Sequence, residues 1–138
     1  TSVYNRNRFN HLLSEVEGRK LEHVGVAFFD LNGLKAVNDT LGHNEGDRLI
    51  KNTAKGISRL FAENVYRMGG DEFAVIVYPV EEQEFIGKIN DTISFLNENK
   101  ISVSVGLAWI DECTDMESLL LKADELMYKN KNEYYEDK

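Results

Sequence analysis

The segment "NVYRMGGDEFAVIVY" (64–78) places two apolar runs on either side of a glycine pair. Runs rich in β-branched and aromatic residues are typical of strands, and two such runs joined through adjacent glycines indicate a β-hairpin. Asp71 and Glu72 then lie at a turn that the flanking strands hold in place. Two interpretations remain open from this segment alone: an exposed turn with incidental acids, or one half of a site that uses carboxylates.

Helical and strand patterns alternate around this hairpin. Helices are predicted within 7–18, 47–61, 81–99 and 114–132, and strands over 23–30, 64–68, 72–78 and 101–110. A capping box from Thr114 to Glu117 is expected to begin the last helix. The order contains a βαββαβ core, which predicts an α+β, ferredoxin-like domain with an antiparallel-containing central sheet flanked by helices.

The length and composition of the chain predict one globular domain over residues 1–138. Its 138 residues are 42% hydrophobic and 29% charged, which is ordinary for a folded domain. The chain begins at Thr1 without a signal-peptide pattern, so we interpret it as a domain excised from a longer protein. The apolar runs are too short to span a bilayer, and we expect no membrane contact by this domain, although the parent protein could be membrane-anchored. The single Cys113 fits a reducing cytoplasm.

The net charge of −8 excludes some partners. A sequence-independent nucleic-acid binder needs a basic face that releases phosphate counterions, so no nucleic-acid partner is expected. A nucleotide substrate remains possible, because divalent cations can bridge carboxylates and phosphates.

A second polar segment, "FFDLNGLKAVNDTLGHNEGD" (28–47), follows the first predicted strand. Asp30 ends that strand, and the turn at Gly33 offers backbone N–H groups to a phosphate. Asn38 and Asp47 carry donors and acceptors that suit the edge of a base. Asp47 could instead cap the next helix, and from this segment alone capping is the favoured interpretation.

The predicted topology can place the end of the first strand beside the hairpin. Asp30 would then meet Asp71 and Glu72. Three carboxylates without a cysteine or a histidine cluster select a hard cation, Mg²⁺ or Mn²⁺. Two such ions would suit in-line phosphoryl chemistry.

The segments "RMGGDEF" (67–73) and "DLNGLKAVNDTLGHNEGD" (30–47) together resemble the GGDEF family, the diguanylate cyclases. The segments "TSVYNRNRF" (1–9), "SVSVGLAW" (102–109) and "ADELMYKNK" (123–131) are similar to further parts of the family pattern, so the resemblance covers nearly the whole chain.

The resemblance implies a fold similar to the polymerase palm and the class III nucleotidyl cyclases. It also implies condensation of two GTP molecules into cyclic di-GMP with release of two pyrophosphates. One chain offers half of the site, so the implied partners are GTP, a second GGDEF chain in a homodimer, and an upstream sensor or dimerisation domain. The alternative is a non-catalytic GGDEF module that binds GTP and regulates a neighbouring domain.

The resemblance also implies the metal ligands. Asp30, the Leu31 carbonyl and Asp71 would bind Mg²⁺ or Mn²⁺, with two ions per site. Asp71 and Glu72 form the implied catalytic pair. Glu72 would either complete the metal site or help to deprotonate the ribose 3′-OH, and these two roles stay open.

The implied substrate contacts are divided between the phosphates and the base. Main-chain N–H groups of Gly33 and Leu34 would bind the phosphates with Lys35 nearby, and Lys131 would hold the terminal phosphates. Asn38 and Asp47 would read the guanine edge. Gly69 and Gly70 would let the nucleotide lie close to the hairpin.

The sequence departs from the family pattern in two places. Members with product inhibition carry Arg-x-x-Asp ending five residues before the glycine pair, where this chain has Leu60 and Glu63. No high-affinity inhibitory cyclic di-GMP site of that kind is therefore expected. The chain keeps Lys131, but after the predicted last helix it has Tyr135 where the family's phosphate-binding arginine would stand, which predicts weaker triphosphate binding.

Overall fold

A computed structural model of the chain describes residues 3–136. These residues form five α-helices and four strands: α1 (Arg6–Val16), β1 (Leu21–Leu31), α2 (Leu34–Leu41), α3 (His43–Phe61), β2 (Val65–Arg67), β3 (Glu72–Val77), α4 (Glu82–Glu98), β4 (Val103–Cys113) and α5 (Met116–Glu136). A short 3₁₀ turn, Ala62–Asn64, joins α3 to β2.

The four strands form one sheet in the order β2-β3-β1-β4, with every neighbouring pair antiparallel. This is the ferredoxin-like arrangement, so the predicted α+β class and βαββαβ core are confirmed. β1 lies inside the sheet and is buried over most of its length, which explains its continuous apolar run. Among the helices of residues 3–136, none has the length and apolar character needed to cross a membrane.

Helices cover both faces of the sheet, because side chains alternate along each strand. Val24, Val26 and Phe28 of β1 belong to a core shared with α1 and α5, whereas Ala27, Phe29 and Leu31 belong to a core shared with α3 and α4. Asp30 continues the first series at the end of β1. Its side chain is thereby directed towards the layer that contains α5.

The segment between β1 and α3 differs from the sequence-based expectation. Residues 34–41 form the helix α2, which we did not predict; none of its residues is buried, so its pattern carries little core signal. Gly42, with φ of +91°, separates α2 from α3, which begins at His43 and not at Asp47. Asp47 therefore lies inside α3, and the interpretation that it caps this helix is wrong.

The start of α5 also differs by one residue. The predicted cap at Thr114 is wrong, because α5 begins at Met116 and Asp115 precedes it. Asp115 Oδ1 accepts a hydrogen bond from the Ser118 backbone N–H at 3.3 Å, and the Ser118 hydroxyl donates to Oδ2 at 2.6 Å. These bonds, chiefly the one from the hydroxyl, lower the pKa of Asp115. The carboxylate therefore takes the capping role that was expected of the threonine hydroxyl.

Candidate active site

Three acidic residues come together where β1 meets the β2–β3 hairpin. Asp30 and Glu72 are direct cross-strand partners in the β1–β3 register. The Leu31 backbone N–H donates to the Asp71 carbonyl at 2.8 Å, which ties the turn of the hairpin to the end of β1. Since cross-strand partners project to the same face of a sheet, Asp30 and Glu72 point into the same layer.

Asp30 is the most buried member of this group, with 4% of its surface exposed. Its Oδ2 accepts a hydrogen bond from Lys131 Nζ at 3.0 Å, whereas its Oδ1 is buried without a hydrogen-bond partner. Burial raises the pKa of Asp30; the bond from Lys131 opposes this shift, and the charge of Asp71 adds to it. The same contact raises the pKa of Lys131 and keeps its ammonium protonated.

Glu72 occupies a different environment, at the side of a groove of about 270 Å³. This groove is also lined by Arg6, Phe28 and Asp124, among others. Burial is the main cause that raises the pKa of Glu72, followed by the negative charges of Asp124 and Asp30. A carboxylate with a raised pKa holds a proton more readily than an ordinary glutamate, which suits proton transfer.

Arg67 holds the turn of the hairpin from within. Its Nε donates to the Gly69 carbonyl at 3.0 Å, and its Nη2 donates to the Gly70 carbonyl at 3.1 Å. Neither glycine adopts the left-handed region, and a Cβ added to either would meet no protein atom within 4 Å. The fold itself therefore does not require glycine at these two positions. The open space above them is compatible with close approach of a ligand.

The turn after β1 is fixed by a buried polar network that sequence reasoning did not identify. The Asn32 side chain donates to Ser102 Oγ at 3.1 Å and accepts from the Ser104 hydroxyl at 2.9 Å. Its backbone N–H donates to the Ser102 carbonyl at 2.9 Å. The available signal was an asparagine that directly follows a strand, together with two serines at the start of another strand, Ser102 just before β4 and Ser104 within it. The network holds the turn that carries Leu31 and Gly33.

Gly33 is the N-terminal cap of α2 and has a φ of +78°, which favours glycine. Leu34 and Lys35 are the first residues of α2, where backbone N–H groups lack partners within the helix and favour an anion. Lys35 is exposed. The Tyr135 hydroxyl accepts a hydrogen bond from the Gly33 N–H at 3.4 Å. The end of α5 thus lies against the turn that was predicted to bind phosphate.

The two residues predicted to read guanine lie at the junction of α2 and α3. A Cβ added to Gly46 would overlap Asn38 Oδ1, so the Asn38 side chain packs directly on the buried Gly46. Asp47 follows Gly46 in α3 and is exposed. The structure therefore places Asn38 against the turn of α3 that carries Asp47.

Among the predicted metal ligands, Asp30 has surroundings that suit a cation. Within residues 3–136, no three His, Cys, Asp or Glu side chains are arranged to hold a metal ion. Asp30 nevertheless has one buried oxygen without a partner and an ammonium group on the other. An unpaired buried carboxylate is costly, so this pairing marks Asp30 as a residue that needs a positive charge beside it. Mg²⁺ and Mn²⁺ commonly take their remaining ligands from water and phosphate.

The antiparallel sheet and its two helical layers give the chain a palm-like α+β fold, with an acidic group at the end of β1. The model of the family described as "Diguanylate cyclase, GGDEF domain" matches residues 1–136, and the chain belongs to this family.

Individual relatives agree with this assignment. The chain is similar to the probable diguanylate cyclase DgcI of Escherichia coli (strain K12), with 34% identity over 77% of the chain and 25% of DgcI. It is similar to the signaling protein YkoW of Bacillus subtilis (strain 168), with 34% identity over 97% of the chain and 19% of YkoW. The matched region is therefore about a quarter or less of these two proteins.

A solved structure agrees in fold. The GGDEF domain of DgcB from Caulobacter crescentus, determined in complex with c-di-GMP, has 26% identity to the chain and a TM-score of 0.79. The match covers 96% of the chain and 87% of that structure. Another structure of DgcB comprises a coiled coil together with the GGDEF domain.

Proposed function

We propose that the chain is a diguanylate cyclase domain that condenses two GTP molecules into cyclic di-GMP and releases two pyrophosphates. The reaction would depend on Mg²⁺ or Mn²⁺ and take place between two copies of the chain. The observation that carries this proposal is the buried Asp30, in register with Glu72 and tied to Asp71 through the Leu31 N–H, in a member of the GGDEF family.

Asp30, the Leu31 carbonyl and Asp71 would hold the cations, with Glu72 as a further ligand or as the proton acceptor. When bound, the cations would neutralise the charge that develops at the reacting phosphate. The raised pKa of Glu72 supports its role as the acceptor of the ribose 3′-OH proton. That hydroxyl oxygen would then attack the α-phosphate of the GTP bound to the partner chain and expel pyrophosphate.

The phosphates would bind at the start of α2, where the N–H groups of Gly33 and Leu34 act together with Lys35 and Lys131. This position is supported by the left-handed Gly33, which begins the helix. Gly69 and Gly70 would leave room for the nucleotide over the hairpin.

Asn38 and Asp47 would recognise guanine. A carboxylate that accepts from guanine N1–H and N2–H₂ rejects adenine, which lacks this donor pair. We expect Asp47→Ser to lose the preference for GTP over ATP while its melting temperature stays close to that of the wild type, because Asp47 is exposed. Competition binding of GTP and ATP measures the effect, and unchanged selectivity would contradict the proposed role.

The function is tested by incubating the domain, fused to a dimeric coiled coil, with GTP and either Mg²⁺ or Mn²⁺. Cyclic di-GMP and pyrophosphate are then quantified. The proposal predicts both products in a 1:2 ratio, and their loss in Asp71→Asn, a matched variant that removes one charge with little change in volume. Absence of cyclic di-GMP from a fused dimer that binds GTP would contradict the enzymatic proposal.

The second candidate function is a GTP-binding regulatory module without turnover. The contact of Tyr135 with the Gly33 N–H favours it, because a neutral phenol lies at the turn proposed to bind phosphate. GTP binding by the fused dimer, with no product under either metal, would support this alternative.

A further inference from the structure

Two side chains near the end of α5 lie on the proposed nucleotide site. Lys131 Nζ is 3.0 Å from Asp30 Oδ2, and the Tyr135 hydroxyl accepts from the Gly33 N–H at 3.4 Å. Residues four positions apart project from the same side of a helix, so a single segment of α5 supplies both contacts.

These two contacts take the places proposed for a divalent cation and for a phosphate oxygen. The Lys131 ammonium places a positive charge on the buried carboxylate proposed to bind a divalent cation. The Tyr135 oxygen accepts from a backbone N–H proposed to donate to a phosphate oxygen. A cation and a phosphate therefore need the positions on Asp30 and Gly33 that α5 already occupies.

The two side chains can leave these positions without opening the core. The Tyr135 residue is 50% exposed, and the Lys131 side chain is 30% exposed. The earlier turns of α5 are anchored by Ala123 and Met127, which are fully buried. Withdrawal of these two side chains breaks their contacts with Asp30 and Gly33 and leaves the buried anchors in place.

We propose that residues 131–135 of α5 form an autoinhibitory latch, which competes with a divalent cation at Asp30 and with a nucleoside triphosphate at Gly33. The inference rests on the proposed function of this site. Because both contacts come from one segment, a ligand that displaces one side chain weakens the hold of the other. The cation and the triphosphate therefore favour each other's binding.

The test removes only the hydroxyl of the latch, in Tyr135→Phe. Tyr128→Phe is the matched control, since Tyr128 lies on the same helix, is 55% exposed and makes no hydrogen bond within residues 3–136. Calorimetry in the presence of Mg²⁺ measures the Kd of the α,β-methylene analogue of GTP, which cannot release pyrophosphate. A competing hydrogen bond of ordinary net strength predicts about two- to tenfold tighter binding by Tyr135→Phe and no change in the control.

Equal or weaker binding by Tyr135→Phe would overturn the latch and leave the proposed function standing. Failure of wild type and both variants to bind the analogue would contradict the latch and the proposed function together. A second measurement needs no nucleotide: hydrogen exchange of the Gly33 amide, followed by NMR. The latch predicts faster exchange in Tyr135→Phe than in wild type or Tyr128→Phe, and identical exchange in all three would overturn it.

Discussion

Lys131 is the direct counter-charge of Asp30, so its removal leaves a buried carboxylate without a cation. We expect Lys131→Gln to lower the free energy of unfolding by about 2 kcal/mol in metal-free buffer, the usual cost of an unsatisfied buried charge. Mg²⁺ or Mn²⁺ should raise the melting temperature of this variant more than that of the wild type, since no ammonium competes for Asp30.

Lys129→Gln is the matched control for this experiment, because Lys129 is an exposed lysine of the same helix. It should retain the stability and the metal response of the wild type. Chemical denaturation and metal titrations monitored by thermal melting measure both quantities. Equal metal responses of Lys131→Gln and Lys129→Gln would contradict competition between the ammonium and a cation.

Glu72 makes the stability of the domain depend on pH. Its pKa is raised in the folded state, first by burial and then by the charges of Asp124 and Asp30. The folded state therefore binds this proton more tightly than the unfolded state, and Glu72 lowers stability as the pH rises above its unfolded pKa. We expect Glu72→Gln to be more stable than the wild type at pH 7, with a smaller difference near pH 4.

Glu63→Gln controls for the general benefit of removing one negative charge from a chain of net charge −8. Glu63 is exposed, so its substitution should change the melting temperature less than Glu72→Gln at pH 7. Melting curves at pH 4 and pH 7 provide the comparison. A stability gain of Glu72→Gln that is the same at both pH values would rule out this account.

At the scale of the elements, the position of α5 depends on a glycine in the neighbouring strand. A Cβ added to Gly106 of β4 would overlap the Ala123 carbonyl and the Met127 nitrogen, which are backbone atoms of α5. α5 would have to move away from β4, and the bond from the Val105 N–H to Asn130 Oδ1, at 2.8 Å, would be strained.

We expect Gly106→Ala to lower the free energy of unfolding by about 2–3 kcal/mol, as overpacking typically does. Gly87→Ala is the control, since a Cβ there meets no atom within 4 Å and alanine favours the α4 helix. Urea denaturation of the wild type and both variants measures the effect. Wild-type stability of Gly106→Ala would contradict close packing of α5 on the strand.

The sequence predicted those elements whose pattern is set by the core. The continuous apolar run of β1 and the glycine pair after β2 identified the sheet, because burial determines the pattern of apolar residues along a strand. α2 escaped prediction because none of its residues is buried. The contact between Tyr135 and Gly33 was equally inaccessible, since it joins residues 102 positions apart through packing of α5 on the sheet.

At the scale of the whole molecule, the proposed reaction needs two nucleotides on two chains. The acidic group around Asp30 and the net charge of −8 oppose close approach of two free copies. Association is therefore expected to limit the reaction when the chain is monomeric.

Under these conditions the rate of cyclic di-GMP formation should rise with the square of the protein concentration, because each productive encounter consumes two GTP-loaded chains. Fusion to a dimeric coiled coil should make the rate proportional to concentration, since the partner is then already present. Initial rates over a hundredfold range of concentration, with sedimentation of the same samples to establish the monomeric state, provide the measurement. A rate proportional to concentration for a demonstrably monomeric chain would mean that one copy suffices, and the two-chain site would have to be abandoned.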